Sequence, residues 1–232
     1  MKTSKENKFE LNVNDVINSI KQGIKLIFLS SPNNPCGTSV SNNDVIKIIN
    51  AANDKALVVL DEAYIEFSSH QTMINMINDY PNLIILRTLS KAQALAGARC
   101  GAMISNNQII SVLQNILPPF SFSIPNIDQI ESVLSSQNIG AAQHQIETII
   151  QERIRLIEEL RKFKSVDQIW NSDGNFIMIK FNNLDLAVKA LNKKNILVGL
   201  LKNNTALIQC ARITIGTKSE NNLLLETLRD LA

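Results

Sequence analysis

Residues 83–105 read L-I-I-L-R-T-L-S-K-A-Q-A-L-A-G-A-R-C-G-A-M-I-S. Leu83 to Leu86 is a short, continuous apolar run that ends in a polar cluster, and Cys100 to Ser105 reads as a strand returning from that cluster. Two runs of the same kind lie upstream. Lys25 to Ser30 ends in the turn-forming Ser31-Pro32-Asn33-Asn34-Pro35, and Ala56 to Leu60 ends at Asp61. Between these two, Ser41 caps a helix whose first turn carries Asp44 and whose Val45, Ile48, Ile49 and Ala52 share one face. Short apolar runs separated by helix-length segments predict an α/β fold, a mainly parallel sheet flanked by helices on both faces.

The second half changes character. Gly140 precedes Gln143 to Phe163, where Ile146, Ile149, Ile150, Ile154, Ile157 and Leu160 recur at helical spacing. Asn175 to Phe181 and Ala211 to Ile215 read as strands, Asp185 to Lys194 and Ser219 to Leu231 as helices. The expected division is therefore a larger domain over residues 1–140, then a long helix and a small α+β C-terminal domain over 141–232.

Composition narrows the function. The 232 residues are 45% hydrophobic and 19% charged, which excludes a disordered chain. A formal charge of +2, with Lys2, Lys5 and Lys8 alternating with Glu6 and Glu10, makes no basic stripe, so nucleic acid is not an expected partner. No apolar run approaches bilayer length, and the first residues lack the core of a secretory signal. Three scattered cysteines, Cys36, Cys100 and Cys210, suit a reducing, cytoplasmic setting better than a disulfide framework. His70 and His144 are far apart, and neither pairs with a cysteine at ligand spacing, so no metal site is expected. Dinucleotide and P-loop fingerprints are both missing.

In open parallel sheets, ligands bind beyond the carboxyl ends of the strands. Three polar clusters fall at those predicted ends: Ser31 to Thr38 (S-P-N-N-P-C-G-T), Asp61 to Tyr64 (D-E-A-Y), and Thr88 to Ala92 (T-L-S-K-A) followed by Arg99. Each alone has a bland reading. The first makes a turn, Asp61 caps the next helix, Tyr64 is a core ring, Lys91 is solvated, and Arg99 pairs with Glu62 or Asp61.

Together, and in this order, the three clusters resemble the pyridoxal-phosphate enzymes of the aspartate-aminotransferase superfamily, most closely the class-II-type histidinol-phosphate aminotransferases. The match is S-P-N-N-P-x-G-T, D-E-A-Y and R-T-L-S-K-A-x-A-L-A-G-x-R-C-G, with Cys36 where that family commonly has Thr. It continues through Pro118-Pro119-Phe120, Asn175-Phe176 and Arg212 to Thr217. The resemblance implies a partial fold type I of the pyridoxal-phosphate transferases and a cytoplasmic aminotransferase of histidine biosynthesis. It implies pyridoxal 5'-phosphate as cofactor, with histidinol phosphate and 2-oxoglutarate or glutamate as substrates. A phosphate-amino-acid decarboxylase and a catalytically inactive remnant are the alternatives.

By the same resemblance, Lys91 condenses with the cofactor aldehyde and later carries the proton, and Asp61 pairs with the pyridine nitrogen. Asn34 and Tyr64 bond the ring's phenolate oxygen, and Ser90 and Arg99 hold the phosphate. Arg212 takes the carboxylate of 2-oxoglutarate or glutamate. Asn175 reads both as a turn residue opening its strand and as a substrate contact. Lys91 is expected to be buried or to lie beside a cation, so that its amine can lose a proton. The family has a basic residue in the stretch matched here by Ile196 to Leu201, which has none. The family also carries a substantial segment before the strand matched by Leu26 to Ser30, so the resemblance implies a truncated or split chain. A homodimer or a complementing N-terminal fragment is the expected partner.

Overall fold

The computed structural model describes residues 9–201, 205–229 and 231. The alternating lysines 2, 5 and 8 and Glu6 lie outside these residues. The described chain forms two compact units. The first comprises Leu11–Pro32 and Ser39–His144; the second comprises residues 9–10, the loop Asn33–Thr38, and the chain from Gln145 onward.

In the first unit the three apolar runs become β1 (Leu26–Ser30), β2 (Leu57–Asp61) and β3 (Leu83–Thr88). They pair in parallel in the order β1-β2-β3, and β4 (Gly101–Ile104) returns antiparallel beside β3. Helices α1 (Val13–Lys21) and α2 (Asn42–Ala52) are each opened by a side-chain cap. Asn12 Oδ1 accepts from the amides of Asn14 and Asp15, and Ser41 Oγ accepts from that of Asp44. Both helices bury an apolar stripe, Val16 and Ile20 from α1 and Val45, Ile48, Ile49 and Ala52 from α2. These pack with Ile27, Leu29, Val58, Leu60, Leu83 and Ile85 of one sheet face.

On the opposite face the cover is partial. Leu26 is 47% exposed and Phe28 70%, and Leu57, which pairs with Leu26, is exposed as well. Val59 and Ile84, farther across that face, are buried. The strands have the continuous apolar pattern of a doubly covered sheet, but at β1 the described residues cover only one side.

The chain continues through α3 (Asn107–Gln114) and α4 (Ile124–Val133), neither of which buries a residue. The long helix α5 runs from Ser136 to Leu160, seven residues before its expected start. Gly140 does not interrupt it, because a single glycine inside an amphipathic pattern costs only about 1 kcal/mol relative to alanine. Ser135 provides the true start, its Oγ accepting from the Asn138 amide.

The second unit contains an antiparallel sheet in the order β5-β6-β8-β7, formed by Val166–Ile169, Phe176–Phe181, Cys210–Thr214 and Gly199–Leu200. Ile177, Ile179, Phe181, Ala211 and Ile213 point into a core with α5, α6 (Leu184–Lys193) and α7 (Lys218–Arg229). On the other face Met178 and Cys210 pack with Phe9, Cys36, Trp170 and Leu207. Among the described residues no helix is long and apolar enough to cross a membrane, and no cluster of metal-ligating side chains exists.

Candidate functional site

In the first unit the chemistry sits at the carboxyl ends of β2 and β3. Asp61 closes β2, and its backbone carbonyl accepts from the Ser31 amide. One carboxylate oxygen, Oδ1, accepts from the Ala63 amide at 3.0 Å. This bond and the Ile65 N–H to Glu62 carbonyl bond turn the chain sharply, so Tyr64 enters the interior at 7% exposure.

After β3, Leu89 to Cys100 folds back on itself. The Leu89 amide donates to the Cys100 carbonyl, and the Leu95 amide donates to the Leu89 carbonyl. The Thr88 hydroxyl donates to Ser90 Oγ at 2.9 Å and accepts from the Ser90 amide. Two non-glycine residues of this loop, Ala94 and Arg99, adopt left-handed backbone at φ 53° and 54°. Strain of this kind concentrates where a loop has a geometry to hold. Lys91 leaves the loop with its Nζ 5.3 Å from the centroid of the Tyr64 ring, a cation–π contact.

Lys91 is exposed, so the burial expected of it is not provided by the described residues. Arg99 is exposed too, and its Nη1 donates to the Ala96 carbonyl at 3.1 Å. It does not pair with Asp61 or Glu62.

The cation that pairs with a carboxylate of the D-E-A-Y segment is Arg87, a residue the sequence reading did not single out. Its Nη2 lies 2.6 Å from Glu66 Oε1, and its Nη1 lies 3.5 Å from Glu62 Oε2 and 3.4 Å from Thr72 Oγ1. Glu62 is 1% exposed and also accepts from the Thr72 hydroxyl and the Met73 amide. Its sequence signal is faint: two acids four residues apart, and an arginine at the end of the next strand.

In the second unit the loop Asn33–Thr38 is closed by the Asn33 amide on the Thr38 carbonyl and the Gly37 amide on the Asn33 carbonyl. Gly37 has φ +80°, and a Cβ there would stand 2.1 Å from Ser172 Oγ. Only glycine lets the loop approach this closely. Asn34 is exposed, and its Oδ1 accepts from Arg212 Nη1 at 2.8 Å. The Arg212 guanidinium also lies 5.2 Å from the Phe176 ring centroid. Asn175 is half-buried, and its carbonyl accepts from the Ile215 amide, which extends the β6–β8 pairing by one residue. The preceding turn is held by buried Arg153, whose Nη1 donates to the Gly174 carbonyl at 2.7 Å. Burial pushes the Cys36 thiol up to about 11, with Cys210 adding to the rise, so it is protonated and inert at neutral pH.

Asp61, Tyr64, Ser90, Lys91 and Arg99 thus lie on the loops after β2 and β3 of one unit, where Lys91 meets Tyr64, and Asn34, Arg212 and Asn175 lie in the other, where Arg212 meets Asn34. A family model described as aminotransferase class I and II matches residues 1–228. Histidinol-phosphate aminotransferase 1 of Pasteurella multocida is 38% identical over 97% of this chain and 64% of its own length. That of Buchnera aphidicola subsp. Cinara cedri is 40% identical over 95% and 62%. The chain therefore spans less than two thirds of these curated relatives. Among solved structures, a decarboxylase from Sulfurospirillum multivorans superposes with a TM-score of 0.89 at 20% identity, covering 99% of this chain and 61% of its own. Histidinol-phosphate aminotransferase from Clostridium acetobutylicum gives 0.85 at 24%, covering 96% and 68%. These superpositions establish the fold.

Proposed function

Because the chain belongs to the class I and II aminotransferase family, we propose that it is the greater part of a pyridoxal-phosphate-dependent aminotransferase, with histidinol phosphate as amino donor and 2-oxoglutarate as acceptor. The observation that supports this most is Lys91 held over Tyr64 beside the Asp61 strand end. The names of the relatives support histidinol phosphate, and the sequence resemblance supports 2-oxoglutarate. We also infer a large cofactor-binding domain over residues 1–140, a small domain over 141–232, and a cytoplasmic location in which the three thiols stay reduced.

The residues present fit the cofactor chemically. An aldehyde needs an amine it can reach, and Lys91 is exposed, with no carboxylate on it among the described residues. A protonated ring nitrogen needs a carboxylate with a free oxygen. Asp61 has one, since only Oδ1 is engaged among the described residues. A phosphate needs donors, and Arg99 commits one N–H to a carbonyl and keeps the rest of its guanidinium fork. When bound, the cofactor supplies an aldehyde that condenses with amines and a ring that takes up the electron pair left when the substrate carbon loses its proton.

This chain's residues would do the remainder. Asp61 Oδ2 would hold a proton at the ring nitrogen. The Tyr64 hydroxyl would donate to the ring oxygen, and Ser90 and Arg99 would anchor the phosphate. The Lys91 amine would take the proton from the substrate's α-carbon and deliver it to the cofactor carbon on the far side of the shared nitrogen. In the second unit, the Arg212 bond to Asn34 Oδ1 leaves the Asn34 amide N–H₂ as the donor that the resemblance assigns to the ring oxygen. The free edge of Arg212 suits a carboxylate.

The test is direct. Purified chain is mixed with pyridoxal phosphate, reduced with borohydride and digested. The expected result is a visible absorption band and a reduced adduct on Lys91, both lost in Lys91→Ala. Adducts spread over surface lysines, or a band retained by the variant, would overturn the assignment. No band at all would favour the remnant. The alternative reading, a decarboxylase of the amino-acid-phosphate type, requires carbon dioxide release from a phosphorylated amino acid. The relatives' additional length we assign to a further segment, carried on the same or a second polypeptide. Its expected seat is the exposed β1 face.

A further inference from the structure

We propose that Arg87 is a positioning residue that ties the Asp61–Tyr64 turn to the end of β3, from which the Lys91 loop departs, so that its guanidinium helps to fix the spacing between the carboxylate, the phenol and the amine. This rests on the functional reading above for its consequence, but not for its geometry. The β2–β3 ladder ends at the Glu62 amide on the Leu86 carbonyl. Beyond that bond the two chains separate. One becomes the turn and the short helix Ile65–Phe67, and the other runs through Thr88 into the loop that carries Lys91.

Each segment is closed on itself. Ala63 and Ile65 amides tie the turn, and Leu89, Ala94 and Leu95 amides tie the loop. Neither set of bonds crosses to the other segment.

Arg87 is the first residue past the last ladder bond, and it does cross. Its two terminal nitrogens reach Glu62 and Glu66, which bracket Ala63 and Tyr64 from both sides. A planar guanidinium can hold two carboxylates in fixed directions, which an ammonium cannot. Glu62 is in turn held by Thr72 and the Met73 amide, so the anchor point is rigid. Past the ladder, the Lys91–Tyr64 ring contact also spans the gap. A cation–π contact at an exposed site is too weak to set the spacing by itself.

The experiment uses the full chain without added cofactor and reads amide hydrogen exchange segment by segment. In Arg87→Met, amides of residues 62–68 and 88–95 are expected to exchange about tenfold faster, while those of α2 stay as in the parent. Arg87→Lys should recover part of the protection, and Glu66→Gln should loosen the 62–68 segment first. Unchanged exchange in both segments, or equal acceleration across the whole unit, would overturn the proposal. If Arg87→Met does not fold, Arg87→Lys and Glu66→Gln make the same comparison. In a second arm, pyridoxal phosphate is titrated and the visible band recorded. Weaker binding in Arg87→Met, recovered in part by Arg87→Lys, supports the positioning role. A band absent from the parent would overturn the cofactor reading while the exchange result still judges the clamp.

Discussion

Cys36 shows how a single replacement can be silent in chemistry and audible in stability. It occupies the position where the resembled family commonly has Thr, buried beside Cys210 with its pKa raised to about 11. A thiol whose folded pKa lies above its unfolded value releases its proton more readily when the chain is open. Stability is therefore unaffected below the ordinary value near 9.0 and is lost as the pH climbs from there toward about 11. Urea unfolding at pH 8 and pH 10.5 should show a steeper fall for the parent than for Cys36→Ala, by on the order of 2 kcal/mol. Iodoacetamide should likewise spare Cys36 at neutral pH until denaturant is added. Asn221, 2% exposed, makes a different case. It accepts from the Gly216 amide and donates to the Gly216 carbonyl and to Glu152. Asn221→Ala would strand those groups, and a loss of about 1–3 kcal/mol should appear in thermal melts.

At the level of elements, the ends of β1 and β2 were readable because each apolar run stops at a polar residue, Ser30 or Asp61, while β3 runs two residues past its apolar run, through Arg87 to Thr88. The cap at Ser41 was equally plain. The Ser41→Ala variant should cost about 1 kcal/mol, read from the denaturation midpoint. What stayed hidden depends on contacts between distant residues. The Arg87–Glu66 pair spans 21 positions and the Arg212–Asn34 bond 178, and no local pattern encodes either. Helices α3 and α4 were missed for another reason. Neither buries a residue, and the Leu117-Pro118-Pro119-Phe120 stretch between them reads as loop. Burial of Lys91 was expected from the chemistry of an amine that must lose a proton, and the described residues do not supply it. Gly37 is a loop position whose role was only half legible. A turn glycine was evident, but its contact with Ser172 was not. Gly37→Ala should push the loop off Ser172 and Asp173, and accelerated exchange at the Asp173 amide, which donates to the Gly37 carbonyl, would record it.

For the molecule as a whole, the open face of β1 is the feature expected to govern association. Leu26, Phe28 and Leu57 form a contiguous exposed apolar surface on a sheet whose other side is packed. The chain is expected to self-associate with rising concentration, and Phe28→Lys should lower the sedimentation coefficient without lowering the melting temperature. An unchanged distribution would mean that face is already covered.

The way the backbone is shared out between the two units has a practical corollary. The loop Asn33–Thr38 belongs to the C-terminal unit although its neighbours on both sides in sequence belong to the other. A recombinant piece starting at Gln145 would therefore be an incomplete object: Ser172 would face the void left by Gly37, and the guanidinium of Arg212 would have lost its amide partner. Anyone wishing to study that half by itself would have to restore both the hexapeptide and Phe9, which packs against Trp170, by circular permutation or as synthetic peptides added in trans.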